Sequence, residues 1–419
     1  MIDGMYTLDD IKLTSKTILA RFDMNSPLDS KTKEPIDITR IEQSLTTLKE
    51  LTDNGAKTVI LIHQGSDIEY HNYSSVKPHS RIISKLINKT VDYIDDVCGP
   101  AALNKIKSMA NGDILMLENV RFMAEEMTLF ETKLNLTPEE QARTLVVQKL
   151  APLADYYLCD AFAAAHRAQP TLIGMEEILP SIMGRLMEKE ITSLERLLKK
   201  PEKPCTFILG GAKIQDAFLM MNSIFKNGIA DMVLATGLVA QVMLIAKGIS
   251  LGENSEELIK KNNLDEYIVK SEGILKEYGT KIRLPADFAY NISGKRKEIP
   301  LEELPVDSYP LMDIGTVTIN NFISIINKSK TIFFNGPAGV FEDKATELGT
   351  KTLLSAIADS GAFSALGGGD TITALNKYGL SDKMSYVSTG GGALVRFLSG
   401  EELPVIKALK KSAKTFNIR

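Results

Sequence analysis

The chain has 419 residues, of which 49 are Lys or Arg and 53 are Asp or Glu, so its formal net charge at pH 7 is −4. Hydrophobic residues make up 44% and charged residues 24%, an ordinary globular mixture, and this length favours two hydrophobic cores over one. The mildly acidic balance argues against the basic surface of a nucleic-acid-binding protein, so we expect no nucleic-acid partner.

The first half of the chain alternates short apolar runs with helical patterns. Runs rich in Val, Ile and Leu without polar alternation are typical of strands buried on both faces of a parallel sheet. The predicted strands cover 17–23, 58–62, 91–94, 114–118 and 156–159, and the predicted helices include 39–51 and 137–150.

The pattern restarts after a helix predicted over 181–200 and the charged, proline-containing sequence KKPEKP at 199–204. In the second half the predicted strands cover 206–209, 232–235, 281–285, 331–334, 363–366 and 385–387, and the predicted helices cover 214–226, 255–278, 346–358 and 371–378. Alternating strands and helices indicate a doubly wound α/β fold in two units of comparable size, joined by a helical link.

Cysteine usage and hydropathy indicate a soluble, cytoplasmic protein. Cys98, Cys159 and Cys205 lie far apart and form no CxxC pair, which favours buried thiols over disulfides or zinc ligands. The uncharged run 232–246 is shorter than the about 20 apolar residues that a membrane span needs. We interpret it as a strand, a turn and a helix, and we expect no membrane partner.

Ligands of open α/β sheets bind beyond the carboxyl ends of the strands, so polar residues at those ends are candidates for a site. In the first half four strands deliver such residues, joined by one at a helix start, namely Arg21, Asp23, Asn25, Arg40, His63, Arg121, Asp160, His166 and Arg167. Arginine offers forked donors that suit phosphate or carboxylate. We would interpret any one of these arginines alone as a solvated surface residue. Together, at one sheet edge, they predict a pocket for a small phosphorylated acid.

The strand ends of the second half carry glycine instead. The sequences are LGGAK (209–213), ATG (235–237), FNGPAGVFE (334–342), LGGGDT (366–371) and STGGG (388–392). Glycine allows close approach of the backbone to a ligand, and a following helix N-terminus offers free N–H groups to phosphate. Asp370 could reach a Mg²⁺ ion held by phosphates, since Mg²⁺ prefers one or two carboxylates plus phosphate oxygens.

Several familiar motifs are absent from the sequence. It contains no GxxxxGK[ST], no GxGxxG after the first strand, no HExxH and no GxSxG. His71 and His79 lie in a polar stretch, where we expect them to be solvated. From the residues alone, the chain is a two-domain phosphotransferase or another nucleotide-dependent enzyme.

Seven motifs resemble phosphoglycerate kinases in order and spacing over nearly the whole chain. They are RFDMNSPLD (21–29), LENVRF (117–122), CDAFAAAHRA (159–168), ILGGAK (208–213), NGPAGVFE (335–342), GGGDT (367–371) and VSTGGGA (387–393). The sequence HQG at 63–65 and the overall length resemble the archaeal branch.

The resemblance implies two Rossmann-like, doubly wound parallel-sheet domains joined by a helical hinge about which they close. The implied phosphoglycerate-binding domain is 1–180 plus 404–419, and the implied nucleotide-binding domain is 181–403. The implied reaction is reversible transfer of the acyl phosphate of 1,3-bisphosphoglycerate to Mg-ADP, giving 3-phosphoglycerate and ATP in glycolysis and gluconeogenesis. We expect a monomer or a small homo-oligomer.

The resemblance also implies substrate-binding residues, namely Asp23, Asn25, Arg40, His63, Arg121 and Arg167. Asp23 and Asn25 would hold the glycerate hydroxyl and carboxyl region, and Arg40 would neutralise the phosphoryl group in transit. The other three would hold the 3-phosphate.

The implied nucleotide-site residues are Gly211, Lys213, Thr236, Gly237, Asn335, Pro337, Glu342, Gly368, Gly369, Asp370 and Thr371. Lys213 and Thr371 would meet the phosphates, and Asp370 would take Mg²⁺. Thr236 and Gly237 would border the adenine, with Asn335, Pro337 and Glu342 around the nucleoside.

Besides Arg40 and Lys213, the implied catalytic residues are Gly390 and Gly391. Their N–H groups would donate hydrogen bonds to the phosphoryl group in transit, which is a preorganised electrostatic role.

Two positions depart from the family pattern. Ser66, followed by an acid, stands where the family usually has a phosphate-binding arginine, and Ala217 stands where many members have a second lysine four residues after Lys213. These departures leave two alternatives open: a binding protein that has lost turnover, and a kinase for a related phosphorylated acid. The missing dinucleotide fingerprint disfavours a nicotinamide dehydrogenase.

Overall fold

The computed structural model describes residues 1–65 and 73–418, and the chain divides into two compact units. The first unit contains Met1–Thr192 together with the segment from Glu402 onward, and the second contains Ser193–Glu401. Ser66, the acid that follows it (Asp67) and His71, for all of which the sequence made predictions, lie outside the described residues.

A seven-stranded sheet forms the centre of the first unit. Its strands are β1 (Tyr6–Thr7), β2 (Thr17–Phe22), β3 (Lys57–Leu61), β4 (Val91–Tyr93), β5 (Ile114–Met116), β6 (Tyr156–Asp160) and β7 (Ser181–Met183). They lie in the order β1-β7-β6-β2-β3-β5-β4, and every pair of neighbours is parallel. Connections run from β2 towards one edge and from β6 towards the other, so the strand order reverses between these two strands.

Helices cover the sheet of the first unit. They are α1 (Thr39–Asp53), α2 (Lys77–Ile87), α3 (Pro100–Lys107), α4 (Thr128–Leu134), α5 (Pro138–Gln141), α6 (Leu145–Leu150) and α7 (Arg185–Lys199), the last of which continues into the second unit. Leu48 and Leu51 of α1 are fully buried in one core with Ile18 of β2 and Ile60 of β3. Burial of these side chains holds the helix layer on the sheet.

The second unit contains a parallel sheet and a small antiparallel one. Its strands are β8 (Cys205–Leu209), β9 (Met232–Ala235), β10 (Ile282–Arg283), β11 (Asp287–Ile292), β12 (Lys295–Pro300), β13 (Asp313–Ile314), β14 (Thr331–Asn335), β15 (Phe363–Gly367) and β16 (Tyr386–Val387). The parallel sheet has the order β10-β9-β8-β14-β15-β16, and the antiparallel sheet has the order β12-β11-β13. In the parallel sheet the strand order reverses between β8 and β14.

The remaining helices follow the strands of the second unit, except the last, which belongs to the first unit. They are α8 (Ile214–Lys226), α9 (Gly237–Ala246), α10 (Glu253–Lys261), α11 (Asp265–Tyr278), α12 (Thr316–Ile326), α13 (Leu348–Asp359), α14 (Gly369–Tyr378), α15 (Gly392–Leu398) and α16 (Pro404–Thr415). Helix α16 packs against the first unit, where the Ser181 N–H donates to Ser412 Oγ at 3.1 Å. The α/β class of both units confirms the predicted fold class.

Three predicted helices were wrong in extent. Residues 181–183 form β7, and the helix begins only at Arg185, after Gly184. The predicted helix 137–150 is α5 and α6, because the Glu125 carboxylate accepts the N–H groups of Leu145 at 2.8 Å and Val146 at 3.1 Å and so starts a new helix. The predicted helix 255–278 is α10 and α11, separated at Asn263, whose φ of 55° ends a helix.

The predictions for the uncharged run and the cysteines were confirmed. Residues 232–246 form β9 and α9 with a turn between them, and all three cysteines are buried free thiols. Among the described residues, no helix is long and apolar enough to cross a membrane.

His79 was predicted to be solvated in a polar loop, and this was wrong. It lies in α2 and is fully buried. Burial lowers the pKa of His79 to about 4, because the charged imidazolium is poorly solvated there.

The buried His79 should make the protein lose stability in mild acid. Its unfolded pKa is about 6.5, so below that pH the unfolded chain binds a proton that the folded chain does not. This loss, on the order of 2–3 kcal/mol at pH 4.5, should be absent in His79→Leu. Urea unfolding at pH 7 and pH 4.5 measures it. An equal acid loss in both proteins would assign the effect to other groups.

Candidate active site

In each unit the polar or glycine-rich segments predicted from the sequence follow the strands where the strand order reverses. In open α/β sheets this is the place where a crevice opens beyond the carboxyl ends of the strands. In the first unit β2 leads into Asp23 and Asn25, and in the second unit β8 and β14 lead into glycine turns.

The loop after β2 is fixed by side-chain hydrogen bonds. Arg40 Nη1, from the first turn of α1, lies 2.8 Å from Asp23 Oδ2 and forms an ion pair with that buried carboxylate. The Gly65 N–H donates to Asn25 Oδ1 at 3.0 Å, which ties the loop after β2 to the loop after β3. Arg40 keeps 35% of its side chain exposed, so its guanidinium is paired and also accessible to a ligand.

Four arginines surround His63 at the end of β3. Arg21 Nη2 lies 3.2 Å from His63 Nδ1, and both side chains are buried. Burial lowers the pKa of His63 well below its usual value, and the positive charges of Arg21, Arg121, Arg167 and Arg40 lower it further. His63 is therefore neutral at pH 7, and the cluster has the electrostatics of an anion site.

Arg121 is 2% exposed, which is unusual for a charged side chain. Its Nη1 donates to the Gly65 carbonyl, and its Nε has no hydrogen-bond partner among residues 1–65 and 73–418. Burial and the nearby Arg167 lower the pKa of Arg121. A buried guanidinium donor without a partner favours an anionic ligand, because a phosphate would satisfy the donor and offset the charge.

Arg167 completes the cluster from the loop after β6. Its Nη1 donates to Thr128 Oγ1 at 3.2 Å and lies 3.6 Å from Glu131 Oε2. Asp160, also a candidate site residue from the sequence, has a structural role instead. It is fully buried, and its Oδ1 accepts the Met187 N–H at 2.8 Å in the first turn of α7.

The glycine turns of the second unit hold one another at close range. The Gly210 N–H donates to the Asn335 carbonyl at 2.9 Å, and the Gly211 N–H donates to the Pro337 carbonyl at 2.8 Å. The Gly336 N–H donates to Thr371 Oγ1 at 2.9 Å, which joins the turn after β14 to α14. These backbone segments approach so closely that side chains would separate them.

Two adjoining cavities open at these turns. The smaller, about 90 Å³, is lined by backbone and polar groups that include Lys213, Asp216, Asn335 and Thr371. The larger, about 670 Å³, has a mostly apolar lining surface, and Gln241 and Glu342 are among the polar side chains that also line it. Both cavities are lined by Gly211, Ala212 and Asp370, so a small polar pocket continues into a larger apolar one.

The smaller cavity has favourable features for phosphate. Lys213 is exposed and precedes α8, while Gly368 and Gly369 lie at the start of α14. Helix N-termini carry free N–H groups and a partial positive charge. Asp370, exposed in the first turn of α14, is a carboxylate in the position that a phosphate-bound Mg²⁺ would use.

The predicted nucleotide-site residues divide between the two cavities. Gly237, Pro337 and Glu342 line the larger one, and Gly391 lines the smaller one. Thr236 is fully buried beneath the turns. The Gly390 N–H donates to Ser388 Oγ at 3.1 Å, whereas Gly391 is exposed with a φ of 51°.

Several lining residues were not singled out from the sequence. Asp216 lies beside Lys213 in the smaller cavity, where burial raises its pKa and the Lys213 charge opposes that rise. Asp216 lies on α8 and Gln241 on α9, the helices that follow two of the glycine turns, and this position in the sequence could have identified both. Ala217 is 3% exposed and packs towards the core. The Cβ of a lysine at that position would therefore be buried.

Comparisons with known proteins agree on one family. The family model described as phosphoglycerate kinase matches residues 8–401. The chain is 44% identical over 409 residues to a phosphoglycerate kinase of Methanothermus fervidus, covering 98% of both chains. It is 42% identical over 416 residues to one of Pyrococcus abyssi, covering 98% of this chain and 99% of the other. It is similar to the crystal structure of the Pyrococcus horikoshii phosphoglycerate kinase, with a TM-score of 0.89, 41% identity and coverage of 98% and 100%.

Proposed function

The chain belongs to the phosphoglycerate kinase family, and on that premise we propose which of its residues carry out the reaction. The protein is a phosphotransferase with a carboxyl group as acceptor. It reversibly transfers the acyl phosphate of 1,3-bisphosphoglycerate to ADP, giving 3-phosphoglycerate and ATP, in glycolysis and gluconeogenesis.

We propose that the first unit binds the phosphoglycerate. The observation that carries this assignment is the arginine cluster around His63, which includes the buried, partly unpartnered Arg121. His63, Arg121 and Arg167 bind the 3-phosphate, because its two negative charges offset the repulsion among the arginines.

The other three substrate residues bind the reacting end of the same molecule. Asp23 and Asn25 accept and donate hydrogen bonds at the glycerate hydroxyl and carboxyl region. Arg40, held by Asp23 at 2.8 Å, neutralises the phosphoryl group in transit.

We assign the nucleotide to the second unit. Its small polar cavity suits the phosphates, and the adjoining apolar cavity of about 670 Å³ suits the base and ribose. Lys213, Gly369 and Thr371 surround the phosphates, while Gly237, Pro337 and Glu342 surround the nucleoside.

Magnesium fits the same place as the phosphates. Asp370 provides one carboxylate, and among the described residues no group of three His, Cys, Asp or Glu side chains could hold a metal alone. This donor set is typical of Mg²⁺ bound mainly through phosphate oxygens. When bound, the ion offsets charge on the nucleotide phosphates, and Asp370 orients it.

Catalysis then consists of positioning and charge neutralisation, since phosphoryl transfer requires no protein nucleophile. Arg40 and Lys213 provide positive charge, and the N–H of the exposed Gly391 provides a dipole towards the moving phosphoryl group. The N–H of Gly390 would have to leave Ser388 Oγ to take the same role. We also propose that the enzyme is cytoplasmic and is a monomer or a small homo-oligomer. Its substrates are small and diffusible, so the reaction requires no membrane or nucleic-acid partner.

A coupled assay with Mg-ATP and 3-phosphoglycerate tests the function directly. Turnover with 3-phosphoglycerate supports the proposal, and absence of turnover supports a binding protein that has lost activity. A panel of other phosphorylated acids tests the third possibility, since faster turnover of one of them would reassign the substrate.

Lys213→Ala should raise the KM for ATP at least about tenfold, because it removes a charge-assisted contact to phosphate. The KM for 3-phosphoglycerate should stay within about twofold, since the variant leaves the first unit intact. The matched control is Lys226→Ala, which removes an exposed lysine from the last turn of α8, the helix that Lys213 precedes. Steady-state kinetics with each substrate varied in turn measure both constants. Equal effects of the two variants would contradict the assignment of Lys213.

A further inference from the structure

The buried guanidinium of Arg21 is held in three directions. Its Nη1 donates to the Phe22 carbonyl at 2.7 Å, its Nε donates to Thr171 Oγ1 at 3.1 Å, and its Nη2 lies 3.2 Å from His63 Nδ1. The side chain is fully buried. Arg21 therefore has one orientation, and its contact with His63 is a fixed part of the site.

A guanidinium has donors and no acceptor. In its contact with Arg21, His63 Nδ1 must therefore accept the hydrogen bond and carry no proton. The remaining proton of the neutral ring is then on Nε2, where it is available for donation to an anion. The geometry thus selects one of the two neutral tautomers of His63.

Thr171, which is bonded to Glu126, contacts Arg21 at Nε, whereas His63 lies at Nη2 of the same guanidinium. The Thr171 hydroxyl accepts from Arg21 Nε, so its own proton is donated to Glu126 Oε2, at 2.9 Å. The Thr171 N–H donates to Glu126 Oε1 at 2.6 Å. Glu126 is fully buried, which raises the pKa of its carboxyl group, and the charge of Arg21 opposes that rise.

We propose that Thr171 and Glu126 are positioning residues, which hold Arg21 so that it keeps His63 neutral with its proton on Nε2, the form that binds the phosphate of phosphoglycerate. The inference rests on the proposed role of His63 in binding that phosphate. It adds a hydrogen-bonded chain, Glu126–Thr171–Arg21–His63, that extends the site into the core.

Charged groups reach His63 from four elements. Arg21 is on β2, Arg40 is on α1, Arg121 is in the turn after β5, and Arg167 is in the loop after β6. All four disfavour the charged imidazolium form of His63. Among residues 1–65 and 73–418, only Arg21 hydrogen-bonds to His63 Nδ1, so a displaced Arg21 should change the tautomer and leave the positive charges of the other three arginines in place.

The test is Thr171→Val, which keeps the shape and removes the hydroxyl. We expect the KM for 3-phosphoglycerate to rise about fivefold, as for loss of one hydrogen bond, with kcat and the KM for ATP within about twofold. Thr171→Ser should restore the wild-type KM. Thr144→Val is the matched control, because it removes a different buried hydroxyl, bonded to the Gln141 carbonyl at 2.6 Å in the same unit.

Nitrogen NMR of ¹⁵N-histidine-labelled protein reads the tautomer directly. The chain has four histidines, and the His63 signals are identified by their loss in His63→Gln. We expect wild-type protein at pH 7 to show His63 protonated on Nε2 alone, and Thr171→Val to show a mixture of the two neutral tautomers. The wild-type spectrum tests the proposal even if Thr171→Val does not fold.

Three results would overturn the inference: a wild-type His63 that carries a proton on Nδ1, an unchanged KM for 3-phosphoglycerate in Thr171→Val, or no recovery in Thr171→Ser.

The variant His63→Gln separates failure of this inference from failure of the proposed function. If His63→Gln raises the KM and Thr171→Val does not, the phosphate site stands and the hydrogen-bonded chain does not. If His63→Gln leaves the KM unchanged, the proposed role of His63 itself is wrong.

Discussion

Replacing Arg40 with alanine should lower kcat about a thousandfold, the effect expected when an arginine that neutralises a phosphoryl group in transit is lost. The guanidinium is paired with Asp23 at 2.8 Å and remains partly exposed beyond the sheet edge. In the variant Asp23 becomes a buried carboxylate without its ion-pair partner, and its negative charge opposes the approach of the phosphate. Both effects act on the rate of transfer.

Arg40→Lys should recover only part of the rate. Lysine keeps the positive charge but loses the fork that can contact Asp23 and a phosphoryl oxygen together. We expect kcat between those of the wild type and the alanine variant.

Arg81→Ala is the matched control for Arg40→Ala. Arg81, on α2, forms an exposed ion pair with Glu34, and such surface pairs contribute little to stability. Its kcat should stay within about twofold of wild type. Steady-state kinetics with both substrates saturating measure kcat, and thermal unfolding checks that each variant is folded. A folded Arg40→Ala variant with a wild-type kcat would remove Arg40 from the catalytic set.

The sequence predicted the central strands well because they are buried on both faces. Strands such as β8 and β14 are largely apolar and almost entirely buried, so their carboxyl ends, and the candidate residues after them, could be located. The hairpin of β11 and β12 was missed, although Ser293 and Gly294 between them, both with positive φ, are a turn signal.

Other features depend on contacts between distant segments, which no local pattern records. Glu125 starts α6 from 20 residues away in the sequence, and Thr171 contacts Arg21 from 150 residues away. His79 was placed at the surface because its neighbours in the sequence are polar. In the fold, its side of α2 faces the sheet.

Gly336→Ala should disrupt the nucleotide site and destabilise the second unit. Gly336 has a φ of 85°, and an added Cβ would lie 2.2 Å from the Gly210 carbonyl oxygen and 2.5 Å from its carbon. Both neighbours are backbone, so the turns after β8 and β14 must separate. We expect a loss of at least about 3 kcal/mol of unfolding free energy and a KM for ATP raised more than about tenfold.

Gly361→Ala separates the backbone strain from the clash. Gly361 has a φ of 68°, and an added Cβ there would meet nothing within 4 Å. The unfolding free energy of this variant should fall by only about 1–2 kcal/mol, the cost of a left-handed conformation for an L-residue. Its KM for ATP should be unchanged. Urea unfolding and steady-state kinetics measure both quantities. If the two variants behave alike, backbone strain alone explains Gly336, and the contact between the glycine turns is not what shapes the nucleotide site.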